Sequence, residues 1–129
     1  MNLFIDANFF IYLNCFTDQY STEYIEINNK YDLYTNILVF DELIYISGKK
    51  YNVAYNDTFD FISSSVLPFV NILDIGIDTY NKAVEIMEKY KLKPSDSIHI
   101  ASMINNNINI MLSEDSDFNN IEGIKKIWI

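Results

Sequence analysis

Short apolar runs alternate with longer stretches of helical spacing along this chain, and that alternation restricts its fold more than any other feature. Leu3-Phe4-Ile5 reads as a buried strand, and Phe69 to Leu73, Ile108 to Leu112 and Ile124 to Ile129 read as further ones. Ile37-Leu38-Val39 reads as a strand or its remnant. Helical stretches lie between them. Phe9 to Leu13 begins one, and Thr17 to Asp32 forms another, with Tyr24, Ile27 and Tyr31 at helical spacing. A third starts from Asp41, and a fourth runs from Asn56 to Val66 until Pro68 terminates it. Asp78 or Thr79 can cap a fifth helix, and Lys93-Pro94-Ser95 opens a sixth. Such alternation predicts an α/β fold with a mainly parallel sheet, in one domain over residues 1–129.

Half of the residues are apolar and about a fifth are charged, which supplies a core and excludes a disordered chain. No apolar run reaches the ~18 residues of a membrane span, and Met1 to Asp6 shows neither the basic start nor the cleavage site of a secretory leader. The single Cys15 cannot form an internal disulfide, fits a reducing cytoplasmic setting, and reads as a buried helix residue. The net charge is −9 and all nine basic residues are lysines. That balance argues against tight non-specific binding to nucleic acid. It leaves room for an enzyme that meets phosphate through a cation, because the cation supplies the local positive charge.

Sites in open parallel sheets form beyond the carboxyl ends of the strands, near the switch in strand order. Asp6 follows the first strand directly, and Ser113-Glu114-Asp115-Ser116-Asp117 follows the strand ending at Leu112. Asp96 falls in the first turn of its helix, where the dipole favours negative charge, and Glu42 lies near the start of another. Carboxylates gathered at one edge raise one another's pKa, and a divalent cation relieves the repulsion. All-oxygen ligands select Mg²⁺ or Mn²⁺ over zinc. Taken singly, each acid also suits a strand end, a helix start or a turn.

Four segments, in order, resemble the PIN-domain family, and especially the VapC-type toxins of toxin–antitoxin pairs. Leu3-Phe4-Ile5-Asp6-Ala7-Asn8 looks like the family's strand followed by Asp-x-Asn, with Ala7 where Thr is more frequent. Glu42 in Phe40-Asp41-Glu42-Leu43 matches its helical glutamate. Pro94-Ser95-Asp96-Ser97-Ile98-His99-Ile100-Ala101 is similar to the segment in which an Asp opens a helix and an Ala follows five residues later. Ser113-Glu114-Asp115-Ser116-Asp117-Phe118 is similar to the closing Thr/Ser-x-Asp-x-Asp-Phe pattern, with the last acidic ligand open between Asp115 and Asp117. The resemblance implies a three-layer α/β/α PIN-like fold and a ribonuclease that hydrolyses RNA phosphodiester bonds. Asp6, Glu42, Asp96 and Asp115 or Asp117 would be its catalytic acids, holding one or two Mg²⁺ or Mn²⁺ ions. Asn8 and Ser113 would support the acids. An RNA substrate, a small antitoxin whose tail crosses the active-site groove, and a homodimer formed through the early helices are implied with it. The chain has no Arg, although many relatives carry Arg around the substrate groove.

His99, the only histidine, can face the same way as Asp96 and reads as a packing or hydrogen-bonding residue. A second reading is an interaction module that binds an antitoxin or another protein and keeps its acids as remnants. A phosphorylated receiver or a haloacid-dehalogenase-type phosphatase fits poorly, since the latter would want a second Asp where Asn8 stands.

Overall fold

The computed structural model describes residues 1–129. Five strands form one sheet in the order β3-β2-β1-β4-β5, and every neighbouring pair is parallel. They are β1 (Asn2–Ile5), β2 (Asp32–Asn36), β3 (Val70–Leu73), β4 (Ile110–Leu112) and β5 (Lys125–Ile127). The helices are α1 (Ala7–Cys15), α2 (Thr17–Lys30), α3 (Ile37–Tyr51), α4 (Tyr55–Phe61), α5 (Ile77–Tyr90) and α6 (Pro94–Asn105). A π-helical turn, Ile62–Val66, prolongs α4, and a 3₁₀ turn, Ser116–Phe118, follows β4.

The strand order explains the layering. The crossovers β1→β2 and β2→β3 step in one direction along the sheet, whereas β3→β4 returns in the other. Right-handed crossovers therefore put α1–α4 on one face and α5–α6 on the opposite face. Packing agrees, because α1 meets α2 and α3, α3 meets α4, and α5 pairs with α6. The result is the α/β fold that the sequence pattern predicted, in the three-layer α/β/α arrangement that the resemblance implied, with a sheet that is wholly parallel. The centre of the sheet is dry. Leu3, Phe4, Ile5, Met111 and Leu112 have no exposed surface, and they join Phe9, Phe10, Leu43 and Ile100 in one cluster of 25 buried residues. Each such side chain contributes roughly 1.5–3 kcal/mol by leaving water. No helix is long and apolar enough to cross a membrane.

Three local expectations change. Ile37-Leu38-Val39 is the first turn of α3, and the strand lies just before it, at Asp32–Asn36. Its inward positions include two polar residues, Thr35 and Asn36, which hid it from a reading based on apolar runs. Thr35 is satisfied by donating to the Ile5 carbonyl at 2.9 Å, and the Asn36 side chain caps α3 by accepting from the Val39 N–H at 3.2 Å. Glu42 consequently sits in the second turn of α3, beyond its start. The fifth helix is capped by neither Asp78 nor Thr79. Gly76 is the capping residue, and the Thr79 hydroxyl reaches back to accept its N–H at 3.2 Å, closing a capping box from the other side. Cys15 is half-buried and donates to the Ser47 hydroxyl at 3.6 Å.

Candidate active site

The order of strands changes direction between β1 and β4, and this is where a parallel sheet opens a crevice at its carboxyl end. Asp6 leaves β1 at that point. It is 6% exposed, and both of its carboxylate oxygens are engaged. Oδ1 caps α1 by accepting from the Ala7 N–H at 2.8 Å, and Oδ2 accepts from the Ser113 hydroxyl at 2.8 Å. Ser113 Oγ in turn accepts from the Asp115 N–H at 3.1 Å, and Asp115 Oδ1 accepts from the Asp117 N–H at 2.9 Å. One chain of hydrogen bonds thus runs from the first helix through Asp6 and the buried Ser113 to the loop that carries the last two acids. Asn8 is part-buried, and its side-chain oxygen is buried without a partner.

The acids form two groups. A carboxylate oxygen of Asp6, one of Glu42 and a ring nitrogen of His99 lie within 4.8 Å of one another. Oxygens of Asp96, Asp115 and Asp117 do the same. The groups share one field. Desolvation pushes the Glu42 carboxyl upward, and the charges of Asp6, Asp96 and Asp115 push it further. Desolvation likewise drives Asp96 up to about 6, with Asp115 and Asp6 adding to it. The structure holds two ion pairs, Lys82–Glu85 and Lys89–Glu122, and neither touches these acids.

His99 is 2% exposed, and burial pushes its pKa down, so the ring is neutral. Because Asn36 Oδ1 is committed to the α3 cap, its Nδ2 faces His99 Nδ1 at 3.1 Å and donates to it. The ring proton then sits on Nε2. Neither nitrogen keeps a free lone pair for a cation, which leaves an all-carboxylate donor set. Clustered, partly desolvated oxygens without a cationic partner fit a hard divalent ion such as Mg²⁺ or Mn²⁺ and suit zinc poorly.

A family model described as PIN domain matches residues 3–124. The chain belongs to the PIN-domain family. Solved structures repeat its fold end to end at low identity. A DNA-bound VapBC from Salmonella typhimurium is 15% identical with a TM-score of 0.77, over 99% of this chain and 98% of that one. The VapC20 toxin of Mycobacterium tuberculosis, described as cleaving the sarcin-ricin loop, is 17% identical with a TM-score of 0.72, over 91% and 92%. A toxin–antitoxin complex from Klebsiella pneumoniae is 20% identical with a TM-score of 0.69, over 95% and 94%. Comparison with curated protein sequences finds no match.

All five acids expected from the sequence of this PIN domain therefore lie at one edge, with Ser113 bonded to the first of them. Two features escaped the sequence reading. Asn36, which fixes the His99 tautomer, is visible in sequence only as a polar residue ahead of an apolar run. Glu114 lies inside the expected motif, yet its contact does not show there. The Tyr12 hydroxyl on α1 donates to its carboxylate across more than a hundred residues of chain. That bond, with burial, holds the Tyr12 phenol well above its ordinary pKa. Tyr12 stacks on Tyr20 with centroids 5.4 Å apart and meets Trp128 edge-on at 6.2 Å, forming an aromatic wall behind the acidic loop.

Proposed function

We propose that this PIN domain is a metal-dependent endoribonuclease and serves as the toxin of a type II toxin–antitoxin pair. The observation that carries the reading is the convergence of five carboxylates, with raised pKa values at Glu42 and Asp96, at the carboxyl edge of β1 and β4 with no ion-paired cation among them. Asp6, Glu42, Asp96, Asp115 and Asp117 would hold the Mg²⁺ or Mn²⁺, directly or through water. When bound, the ion supplies a water of lowered pKa and polarises the scissile phosphate. The protein's own part is to fix the acids. Ser113 and the Ala7 N–H orient Asp6, the Ser113 hydroxyl anchors the Asp115 backbone, and the Asp115 carboxylate holds the Asp117 N–H. His99 stays neutral beside Asp6 and Glu42, where its remaining N–H is a donor for an acid or a substrate oxygen.

The substrate is RNA in single-stranded or looped form, since such bases and phosphates are reachable. The nearest support for an RNA loop is the fold shared with a toxin described as cleaving the sarcin-ricin loop. Toxin–antitoxin complexes among the structures of the same fold support a small antitoxin as partner. A groove of about 490 Å³ between α1–α2 and the α4 segment suits such a partner, because Ile25 and Phe69 are exposed along it beside Asp57 and Asp60. It would take an apolar helix face flanked by basic residues. A homodimer through the early helices belongs to the same reading.

Incubating a tRNA and rRNA panel with and without Mg²⁺ or Mn²⁺ tests the proposal. Cleavage by the wild type only with a cation, and cleavage reduced at least about 100-fold in Asp96→Asn, is expected. Metal-independent cleavage, or wild-type rates from Asp96→Asn, would overturn it. Binding of an antitoxin with no cleavage of any RNA would favour the interaction module.

A further inference from the structure

We propose that Lys93 and Lys126 are the phosphate-contacting residues of the acidic groove, gripping the RNA backbone on the two flanks of the carboxylates. The inference rests on the ribonuclease reading. A chain of net charge −9 without arginine repels a polyanion. Two divalent ions among five carboxylates would still leave the site net negative. Something else must therefore meet the phosphates that flank the scissile one, and the chain offers only lysines.

The nine lysines are not equivalent. Lys82 and Lys89 are held in ion pairs with Glu85 and Glu122. Lys30, Lys49 and Lys50 lie over the rings of Tyr31, Tyr45 and Tyr51, each about 5.4–5.5 Å from the centroid. Lys91 is the left-handed residue that ends α5, and Lys125 points to the opposite face of β5 from Lys126. Lys126 Nζ donates to the backbone carbonyl of Asp115 at 3.3 Å, so its ammonium sits against the acidic loop with hydrogens to spare. Lys93 precedes Pro94 at the mouth of α6, one turn ahead of Asp96, and makes no ion pair. Its charge opposes the upward push on both Glu42 and Asp96, which places it within electrostatic reach of the site. Lys93 thus stands on the α6 side of the acids and Lys126 on the β5 side, and neither is in an ion pair.

A lysine on a carbonyl or in open solvent is a point charge with rotatable donors, suited to a phosphate and indifferent to base identity. The roles predict effects on substrate affinity and salt dependence with the chemical step untouched. Lys93→Gln and Lys126→Gln are compared with wild type and with Lys30→Gln as a control, using single-stranded RNA and saturating Mn²⁺. Each site variant should raise KM by roughly five- to tenfold at unchanged kcat. Each should also reduce the slope of log(kcat/KM) against log[salt] by about 0.7, the value for one phosphate contact to a single strand. Mn²⁺ affinity without RNA, read by electron paramagnetic resonance, should stay level or tighten, because a neighbouring positive charge is gone. Unchanged KM and salt slope in both variants, beside normal metal-dependent cleavage by the wild type, would overturn the lysine assignment and leave the ribonuclease reading standing. A fall in kcat alone, or a tenfold loss of Mn²⁺ affinity, would also overturn it by moving the lysines into the metal site. A wild type that cleaves no RNA would remove both proposals together.

Discussion

Asp6 and Asp96 share one acidic edge but live under different rules. Asp6 is buried, and each of its oxygens accepts a hydrogen bond, one from the first turn of α1 and one from Ser113. Asp96 is partly exposed, accepts no hydrogen bond from the protein, and is pushed up to about 6 by desolvation and its acidic neighbours. The first carboxylate is a structural member that also faces the site. The second is held against its own charge by the fold around it. A cluster of acids can therefore be built from one anchored part and one strained part.

The sharpest way to break this contrast is to remove each acid and measure activity and stability separately. Asp6→Ala should lower cleavage by about 1,000-fold, equivalent to about 4 kcal/mol, and also destabilise the fold. The lost cap costs about 1 kcal/mol, and the stranded Ser113 hydroxyl about 1–3 kcal/mol. Urea unfolding at the wild-type midpoint would show that Asp6 is no part of the frame. Asp96→Asn should lower cleavage by at least about 100-fold, near 2.7 kcal/mol, while the metal-free protein becomes more stable by on the order of 1 kcal/mol, a figure discounted for solvent screening. A metal-free Asp96→Asn protein that unfolds earlier than wild type would sink the claim of strain.

The acids of both parts were legible in the sequence, whereas the contacts that hold them were not. The strands ending at Ile5 and Leu112 are apolar runs stopped by acids, so Asp6 and the Ser113–Asp117 loop could be assigned to one sheet edge from pattern alone. The Pro at the start of α6 set Asp96 in a first turn for a similar reason. What could not be read is tertiary. The strand before α3 is short and buries Thr35 and Asn36, whose polarity is tolerated because the Ile5 carbonyl and the Val39 N–H answer it. The Asn36–His99 contact and the Tyr12–Glu114 contact join residues 63 and 102 positions apart, and neither partner carries a periodic or spacing signal. The sequence reading of His99 as a hydrogen-bonding residue agrees with the bond seen, but its place beside Asp6 and Glu42 needed the fold.

Asn36→Ala sharpens the comparison from the anchored side. It removes the α3 cap, at about 1 kcal/mol, and leaves His99 Nδ1 buried without a donor, at about another 1 kcal/mol. The expected loss is about 2 kcal/mol by urea unfolding. Ring-nitrogen NMR should find His99 protonated on Nε2 in the wild type and a weakened preference in the variant. A wild-type ring protonated on Nδ1 would contradict the reading of Asn36 as donor, and would free a nitrogen for metal.

The smallest effect is the most specific to the strained part. A carboxyl that titrates near 3.9 in an unfolded chain and at about 6 in the folded one binds its proton more tightly when folded. Its stabilising contribution is therefore complete below about pH 4 and is lost as pH rises through 6. Glu42, raised for the same reasons, adds in the same direction. Without metal, wild type and Asp96→Asn should thus be closest in stability at pH 4. The gap should open in favour of the variant by on the order of 1 kcal/mol by pH 7, since only the wild type must ionise this carboxyl among other acids. Saturating Mn²⁺ should reverse the trend, because an ion that requires the ionised carboxylate binds the folded wild type more tightly as pH rises. Urea midpoints of both proteins at four pH values, in chelator and in Mn²⁺, measure this directly. A gap independent of pH in chelator would mean that Asp96 titrates as an ordinary surface acid, and the division of the edge into anchored and strained carboxylates would go with it.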